Sequence, residues 1–162
     1  MFFRVYRFRN VIRSARQFKT SAHFNTDLTL TFASAGQVFY NKVAVRQVDV
    51  PTLSGRIGVL AEHVPTIACL SPGVVSVTEN DGKTNDFFVS SGTVTVNSDS
   101  SIQIITEEAA ALDDFDARAV SEGFHRTQSE LSTAQTDLAR AELQIALEAY
   151  EQLNQAVLSR SR

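Results

Sequence analysis

At 162 residues, 43% of them hydrophobic, with a net charge of −3, the chain has the length of one ordinary domain or of a small domain with an appendage, and enough apolar material for a packed core. No run approaches the eighteen or so consecutive apolar residues that a membrane-spanning helix needs. The single cysteine, Cys69, excludes an internal disulfide and a zinc site built from cysteines.

The charge is unevenly divided. Arg4, Arg7, Arg9, Arg13, Arg16 and Lys19 fall in the first twenty-two residues with no acid among them. The remainder has eighteen acids against nine bases, fifteen less the six just named. Phe2, Phe3, Val5, Phe8, Val11, Ile12 and Phe18 lie between these bases, and an Arg-rich, acid-free, amphipathic start of this kind reads as a mitochondrial transit peptide over residues 1–25. Arg16-Gln17-Phe18 with Ser21 resembles a two-step matrix-processing pattern, which places the mature start near Thr26. The alternative for this segment is a basic arm that binds nucleic acid. Once it is removed, an acidic body is repelled by nucleic acid and anionic lipid alike, so protein partners are expected.

From Asp27 to Thr106 the chain is rich in Val, Thr, Phe and Ile, in short stretches broken by Gly, Pro, Asn, Asp and Ser. This is strand chemistry. Leu28, Leu30 and Phe32 alternate with Thr29 and Thr31, so one face of the first strand is buried. Further strands are predicted at 37–40, 43–50, 56–60, 64–70, 74–78, 87–90, 93–96 and 102–106. Asn80-Asp81-Gly82 is a strong turn signal and residues 97–101 a looser one. Cys69, between Ala68 and Leu70, is expected to be a small buried hydrophobe. No helical pattern separates the strands, which disfavours a parallel sheet. The expected fold is a β-sandwich, or flattened antiparallel barrel, over residues 26–107.

At Leu112 the composition changes to Ala, Glu, Gln, Leu and Arg, and a helical domain is expected over residues 108–162. Ala117, Val120, Phe124 and Leu131 recur at helical spacing, as do Leu138, Ala141, Ile145, Ala149, Leu153 and Val157. Asp113, Asp114 and Asp116 suit the electropositive start of the first helix. Polar residues 132–136 offer a break, with Thr136 or Asp137 as the cap of the second helix. Two helices on a short loop form an antiparallel hairpin, in which alanines at 139, 141, 146 and 149 allow close approach; one long coiled-coil arm is the rival. Gly123 weakens the first helix by about 1 kcal/mol relative to Ala.

Catalytic chemistry is poorly represented. His63 stands beside Glu62, but His125 has no second histidine four residues away, and no metal or cofactor is expected. Ser90-Ser91-Gly92 lacks the Gly-x-Ser-x-Gly spacing of a nucleophile elbow, and no dinucleotide or phosphate loop is present. The acids Glu107, Glu108, Asp113, Asp114 and Asp116 lack the spacing and central glycine of a calcium loop.

What is distinctive is the order of loops and short runs. Gly36-Gln37-Val38-Phe39 and Val48-Asp49-Val50-Pro51 precede Gly55-x-x-Gly58-x-Leu60, His63-x-Pro65 and Leu70-x-Pro72-Gly73. Phe87-Phe88-Val89-Ser90-Ser91-Gly92 follows, and then helices that open on Leu112-Asp113. From about Thr26 to the C-terminus this layout resembles the small central-stalk subunit of F-type rotary ATP synthases, the delta/epsilon family.

The resemblance implies a non-catalytic rotor subunit at the matrix face of the mitochondrial inner membrane. It would bind the gamma subunit and the c ring, and in the mitochondrial form a very small epsilon subunit held against sandwich and helices. Ser54, Gly55, Arg56, Ile57 and His63 would face the c ring. Many bacterial relatives bind ATP through an Asp-x-x-Arg-Ala pattern. Here Arg118-Ala119 follows Phe115, with Asp114 and Asp116 out of register, so the pattern does not carry over. The alternative is a matrix protein-binding module of the same fold, unrelated to ATP synthase; an unaided hydrolase using His63 and a serine is a further reading.

Overall fold

The computed structural model describes residues 27–160; the transit-peptide reading of residues 1–25 lies outside them. Ten strands are followed by two helices: β1 Leu28–Ser34, β2 Val38–Val45, β3 Gln47–Thr52, β4 Gly55–Val59, β5 Thr66–Leu70, β6 Gly73–Thr78, β7 Thr84–Val89, β8 Gly92–Val96, β9 Ser101–Thr106, β10 Ala109–Ala111, α1 Ala117–Thr133 and α2 Asp137–Arg160. The strands run in the order β10-β7-β6-β3-β5-β8-β9-β1-β2, with β4 on the other edge of β3.

The sheet bends where β3 meets β5, because only Thr52 and Leu70 pair there. That corner separates two layers, β10-β7-β6-β3-β4 and β5-β8-β9-β1-β2, which face each other as a sandwich. Period-two alternation turns Leu28, Leu30, Phe32, Val48, Val50, Val75, Val77, Val94, Ile102 and Ile104 into the shared core, each almost fully buried. Each such side chain contributes about 1.5–3 kcal/mol through burial. Every strand pair is antiparallel except β1 with β9, which run parallel in unbroken register from Thr29↔Ser101 to Ser34↔Thr106.

Opposite the corner, side chains close the sandwich. Asn85 Nδ2 donates to the Tyr40 hydroxyl (2.9 Å) and to Glu79 Oε1 (2.8 Å), and the Tyr40 hydroxyl lies 3.3 Å from the same carboxylate oxygen. Phe32, Phe39 and Phe87 pack beneath this cluster with ring centroids 4.8–5.4 Å apart. Burial raises the Tyr40 phenol above its ordinary pKa; the Asn85 hydrogen bond opposes this, and the Glu79 carboxylate adds to it.

The structure revises several expectations. The break predicted after Tyr40 is a bulge inside β2. Leu30 pairs with Val43 and Phe32 with Tyr40, so β2 has one extra residue there, and Lys42 takes a positive φ of 54° to absorb it; a second register shift falls between Phe32 and Ala33. The true break is at Arg46. Cys69 is exposed, because Leu70 takes the inward phase at the corner and alternation turns its neighbour out. Strand β10 escaped prediction since three alanines carry no strand signal. The Asn80-Asp81-Gly82 turn is present, with Gly82 at φ 89° and Lys83 N–H donating to Asp81 Oδ1 at 2.8 Å.

The helices form the hairpin, not the single arm. Asp116 caps α1 by accepting from Arg118 N–H at 2.9 Å, while Asp113 and Asp114 lie in a preceding 3-10 turn, Leu112–Asp114. Thr136 caps α2 through Ala139 N–H at 3.2 Å. A second core of Phe88, Leu112, Val120 and Leu153, flanked by Val74, Phe115 and Val157, docks the hairpin on the outside of β6 and β7.

The α2 face that packs is not the one predicted along its whole length. Ala149, Leu153 and Val157 of the predicted stripe face inward, but Leu138, Ala141 and Ile145 are exposed, and Ala139, Leu143, Ala146, Leu147 and Tyr150 are half-buried instead. At Gly123 the two helices come close together. A Cβ there would lie 2.7 Å from Tyr150 Cε1, so the glycine that costs α1 propensity admits a ring from α2.

Candidate functional site

The residues expected to form the ring-facing surface lie along β4 and the loops at its two ends. β4 is an edge strand that pairs only with β3, from Val48↔Val59 to Thr52↔Gly55. At one end the chain turns through Leu53 and Ser54. Thr52 Oγ1 donates to Gly55 O at 2.5 Å and lies 3.0 Å from Ser54 Oγ, while Leu53 N–H donates to Cys69 O at 3.1 Å. Gly55 enters β4 at φ 121°, a conformation that side chains disfavour. The turn therefore has a fixed shape, with Leu53 at its tip and 76% exposed.

Along β4 the residues differ in facing. Arg56 projects outward, and its Nη2 donates to Ser76 Oγ at 3.0 Å. Ile57 is half-buried and packs against the core. Gly58 leaves room for Asp49, whose Oδ1 would sit 2.8 Å from any Cβ placed there, and Asp49 accepts from Gln47 Nε2 at 2.9 Å.

Beyond Val59 the chain enters the second loop. His63 N–H donates to Leu60 O at 3.3 Å, and His63 Nδ1 lies 2.8 Å from Val64 O. A carbonyl only accepts, so Nδ1 is the donor in this contact. Glu62 adopts φ 60°, and its N–H donates to Ser100 Oγ at 3.0 Å. Beside it, Asp99 Oδ1 accepts from Ser101 Oγ (2.6 Å) and Ser101 N–H (3.0 Å), and these bonds lower its carboxyl pKa. Val64 and Ile67 project from this end, 73% and 79% exposed.

Ser54, Gly55, Arg56 and Ile57 thus cluster at one end of the strand, and His63 stands past the other. The end of β4 and the turn at Leu60–His63 lie between the two groups, so they share an edge and not a pocket. The sequence did not single out the exposed apolar residues of the sheet's outer face. Ile67 and Cys69 on β5 adjoin Thr93 and Thr95 on β8, and Ile105 on β9 lies opposite Thr93 and Ala33. None of these carries a charge, and their outward phase was legible from alternation.

The other histidine described, His125, is exposed, its ring 5.6 Å from that of Phe124. Among the described residues no group of three or more His, Cys, Asp or Glu could hold a metal ion. No helix among them is long and apolar enough to cross a membrane. Ser90 and Ser91 serve as a strand connection: Ser90 N–H donates to Glu108 O at 3.2 Å, and Ser91 O accepts from Glu107 N–H at 3.1 Å.

Residues 27–112 match the family model described as ATP synthase, Delta/Epsilon chain, beta-sandwich domain. Over 133 residues the chain is 48% identical to "ATP synthase subunit delta, mitochondrial" of Caenorhabditis elegans, covering 80% of this chain and 79% of the relative. It is 38% identical over 145 residues to the protein of the same name from Yarrowia lipolytica, covering 90% and 89%. Among solved structures, a chain of the Euglena gracilis mitochondrial ATP synthase assembly of OSCP, F1 and c-ring superposes with a TM-score of 0.78 at 23% identity, covering 97% of this chain and 99% of that one. This last likeness is one of fold.

Proposed function

The chain belongs to the ATP synthase delta/epsilon family, and from that premise we propose that it couples rotation of the c ring to the gamma shaft of the mitochondrial enzyme. It is a structural subunit and not an enzyme; catalytic sites reside elsewhere in the complex. The observation that carries the reading is the 48% identity to a mitochondrial delta subunit over most of both chains, on a fold that includes sandwich and hairpin alike. In this reading residues 1–25 direct the chain to mitochondria and are removed, and the mature subunit works at the matrix face of the inner membrane.

A coupling piece must be stiff and must dissociate slowly compared with turnover. The sandwich core supports the first requirement, since close-packed interiors transmit strain instead of yielding to it. For the second, the β4 edge is assigned to the ring. Ser54, Gly55, Arg56 and Ile57 form its fixed turn, and His63 lies on the loop at its far end. An interface of about 800 Å² per partner spans both ends of so short a strand. Leu53 supplies an exposed apolar anchor, and Arg56 offers a planar set of donors for a carbonyl or carboxylate of the ring. The gamma subunit and a very small epsilon subunit are assigned to the remaining faces, the latter against sandwich and helices.

The test is copurification of the tagged, processed chain from mitochondria, followed by Arg56→Glu. The reading expects the gamma subunit and the c ring in amounts nearly equal to the tagged chain, and loss of c-ring attachment in the variant. Copurification without synthase subunits would favour the unrelated matrix module, and unchanged attachment of the variant would remove Arg56 from the interface.

A further inference from the structure

Strand β4 leaves one edge of the sheet open: it pairs with β3 and, among the described residues, with no other strand. Which of its backbone groups face outward follows from β3. Pro51 O accepts from Ser71 N–H on the side away from β4. Polar groups alternate along a strand, so Thr52, Val50 and Val48 turn theirs toward β4 and form the bonded pairs, with Gly55, Ile57 and Val59. The amides and carbonyls of Arg56 and Gly58 therefore point out of the sheet, where they form a template for an added strand.

Arg56 and Asp49 stand on the outer face beside this edge, and neither is in an ion pair with another described residue. The Asp49 carboxylate leans over Gly58, into the space a side chain there would fill, and Gln47 Nε2 donates to both of its oxygens, at 2.9 and 3.0 Å. Arg56 is exposed, and so is its hydrogen bond to Ser76 Oγ, a bond exchanged for another at little cost. Two copies of this edge match each other. Antiparallel pairing with Arg56 opposite Gly58 of the second copy sets every outward amide against an outward carbonyl. The two-fold axis then passes by Ile57, which is half-buried and has its exposed part covered by its counterpart. In the same register each Arg56 comes beside the other copy's Gly58, where the Asp49 carboxylate lies.

We propose that the β4 edge is a self-recognition surface: two copies of the free chain join edge to edge, Arg56 opposite Gly58, and each Arg56 pairs with the Asp49 carboxylate of the other. The occupant is a second copy because one edge supplies both halves of the match. An unrelated strand has to bring a base opposite Gly58 and an acid within reach of Arg56, whereas this chain does so in the register that its backbone groups impose. The contact is isologous and closes on itself. A five-residue strand buries far less than the about 800 Å² per partner of a stable interface, so the dimer is weak. Weakness suits a cap that protects an open edge until another surface takes it over. That last step rests on the assignment of β4 to the ring; the dimer itself does not.

Sedimentation equilibrium of the processed chain, free of other subunits, tests it. Both bodies are acidic, so the salt is set at about 0.1 M, where charges more than about 10 Å apart are screened and a contact pair is not. The expected result is a monomer–dimer equilibrium that is half complete between about 10 μM and 1 mM, the range of a weak interface. Arg56→Glu and Asp49→Arg, each alone, set like charges against one another and should weaken the dimer by about tenfold or more. The two together exchange the charges and should restore it, which also shows that neither single loss is a folding defect. Amide exchange reads the backbone: on concentrating the parent chain, Arg56 and Gly58 should slow, while Ile57, already bonded to Val50, should not change. A chain that stays monomeric up to about 1 mM overturns the proposal. So does a dimer that protects neither Arg56 nor Gly58, since it joins through another face, and so does one that is indifferent to both charge reversals or is not restored by the exchange. Protection of those amides only within the assembled synthase gives the edge to another chain and overturns it too. Failure of the tagged chain to copurify with the c ring is a separate result, which sinks the coupling reading and leaves the dimer standing.

Discussion

Gly92 opens β8 at φ 152°, paired with Leu70 on one side and Thr106 on the other. A Cβ built there would lie 2.2 Å from Ile105 O, 2.8 Å from Thr106 Cα and 3.0 Å from Ile105 C. All three atoms are backbone of β9, in a ladder tied on its far side to β1, so none can swing aside as a side chain would. Gly92→Ala therefore incurs two penalties: overpacking of about 1–3 kcal/mol and a further 1–3 kcal/mol for a side chain held at positive φ. The expected loss is about 2–6 kcal/mol. With a urea dependence of about 1.5 kcal/mol per molar, a mid-range loss lowers the denaturation midpoint by about 2–3 M. Circular dichroism at increasing urea on the processed chain measures it. Two companions separate the penalties. Gly82→Ala meets nothing within 4 Å but has φ 89°, so it should lose only about 1 kcal/mol through backbone strain. Gly36→Ala meets nothing and has no positive φ, so it should stay within about 0.5 kcal/mol of the parent. If Gly92→Ala loses no more than Gly82→Ala, the close approach of β8 to β9 is not what requires glycine there.

Leu153→Ala removes a buried side chain from the second core alone and should cost about 2–4 kcal/mol; limited proteolysis is expected to cut between Phe115 and Thr136 while the sandwich survives. Arg160→Ala breaks the 2.6 Å pair with Asp113, but both side chains are substantially exposed, so thermal denaturation should show a change of no more than about 1 kcal/mol. The raised Tyr40 pKa has a defined sign. Its stabilisation is complete below the unfolded phenol value of about 10 and is lost as pH rises through the higher folded value. Ultraviolet titration of the folded chain should show a tyrosine ionising above the ordinary range, and Tyr40→Phe should abolish that late step. Exposed Cys69 should react with a maleimide in the free chain at a rate near that of a small thiol; protection there would contradict its outward phase.

Much of the sandwich was legible because one physical signal, period-two alternation, repeats strand after strand. Leu28, Leu30 and Phe32 announce a buried face, and Thr29 and Thr31 the opposite one. The same signal read one residue further would have placed Cys69 outside, since Leu70 is inward. Bulges were not legible: Lys42 sits in the left-handed region with no glycine or asparagine at its own position to mark it. The candidate edge was legible as a list of residues but not as a geometry. Nothing local in Ser54 to His63 states that the end of β4 and the turn after it hold the two groups apart. Helix α2 misled for a definite reason. It carries two apolar stripes, one through Leu138, Ala141 and Ile145, the other through Ala139, Leu143, Ala146 and Tyr150, and periodicity cannot say which meets the body. The choice is made by Gly123, whose missing side chain admits Tyr150.

The two cores differ in what they can bear. Seventeen buried side chains tie the two layers of the sandwich together, whereas four form the cluster that docks the hairpin, and α2 touches the sheet chiefly through β6. Stability within a molecule follows the local density of buried apolar contact, so the hairpin opens at a lower free energy than the sandwich does. A load applied at the β4 edge passes through β3 into both layers, since β3 pairs with β4 on one side and with β6 and β5 on the other. None of that path crosses the hairpin. Torque taken up at the β3–β4 turn can therefore be borne by the sandwich alone, and, on the proposed assignment of Arg56 to the ring, loosening the helices with Leu153→Ala should leave that attachment intact. Copurification of c subunits with that variant in parental amounts is the expected result; their loss would show that the load path runs through α2.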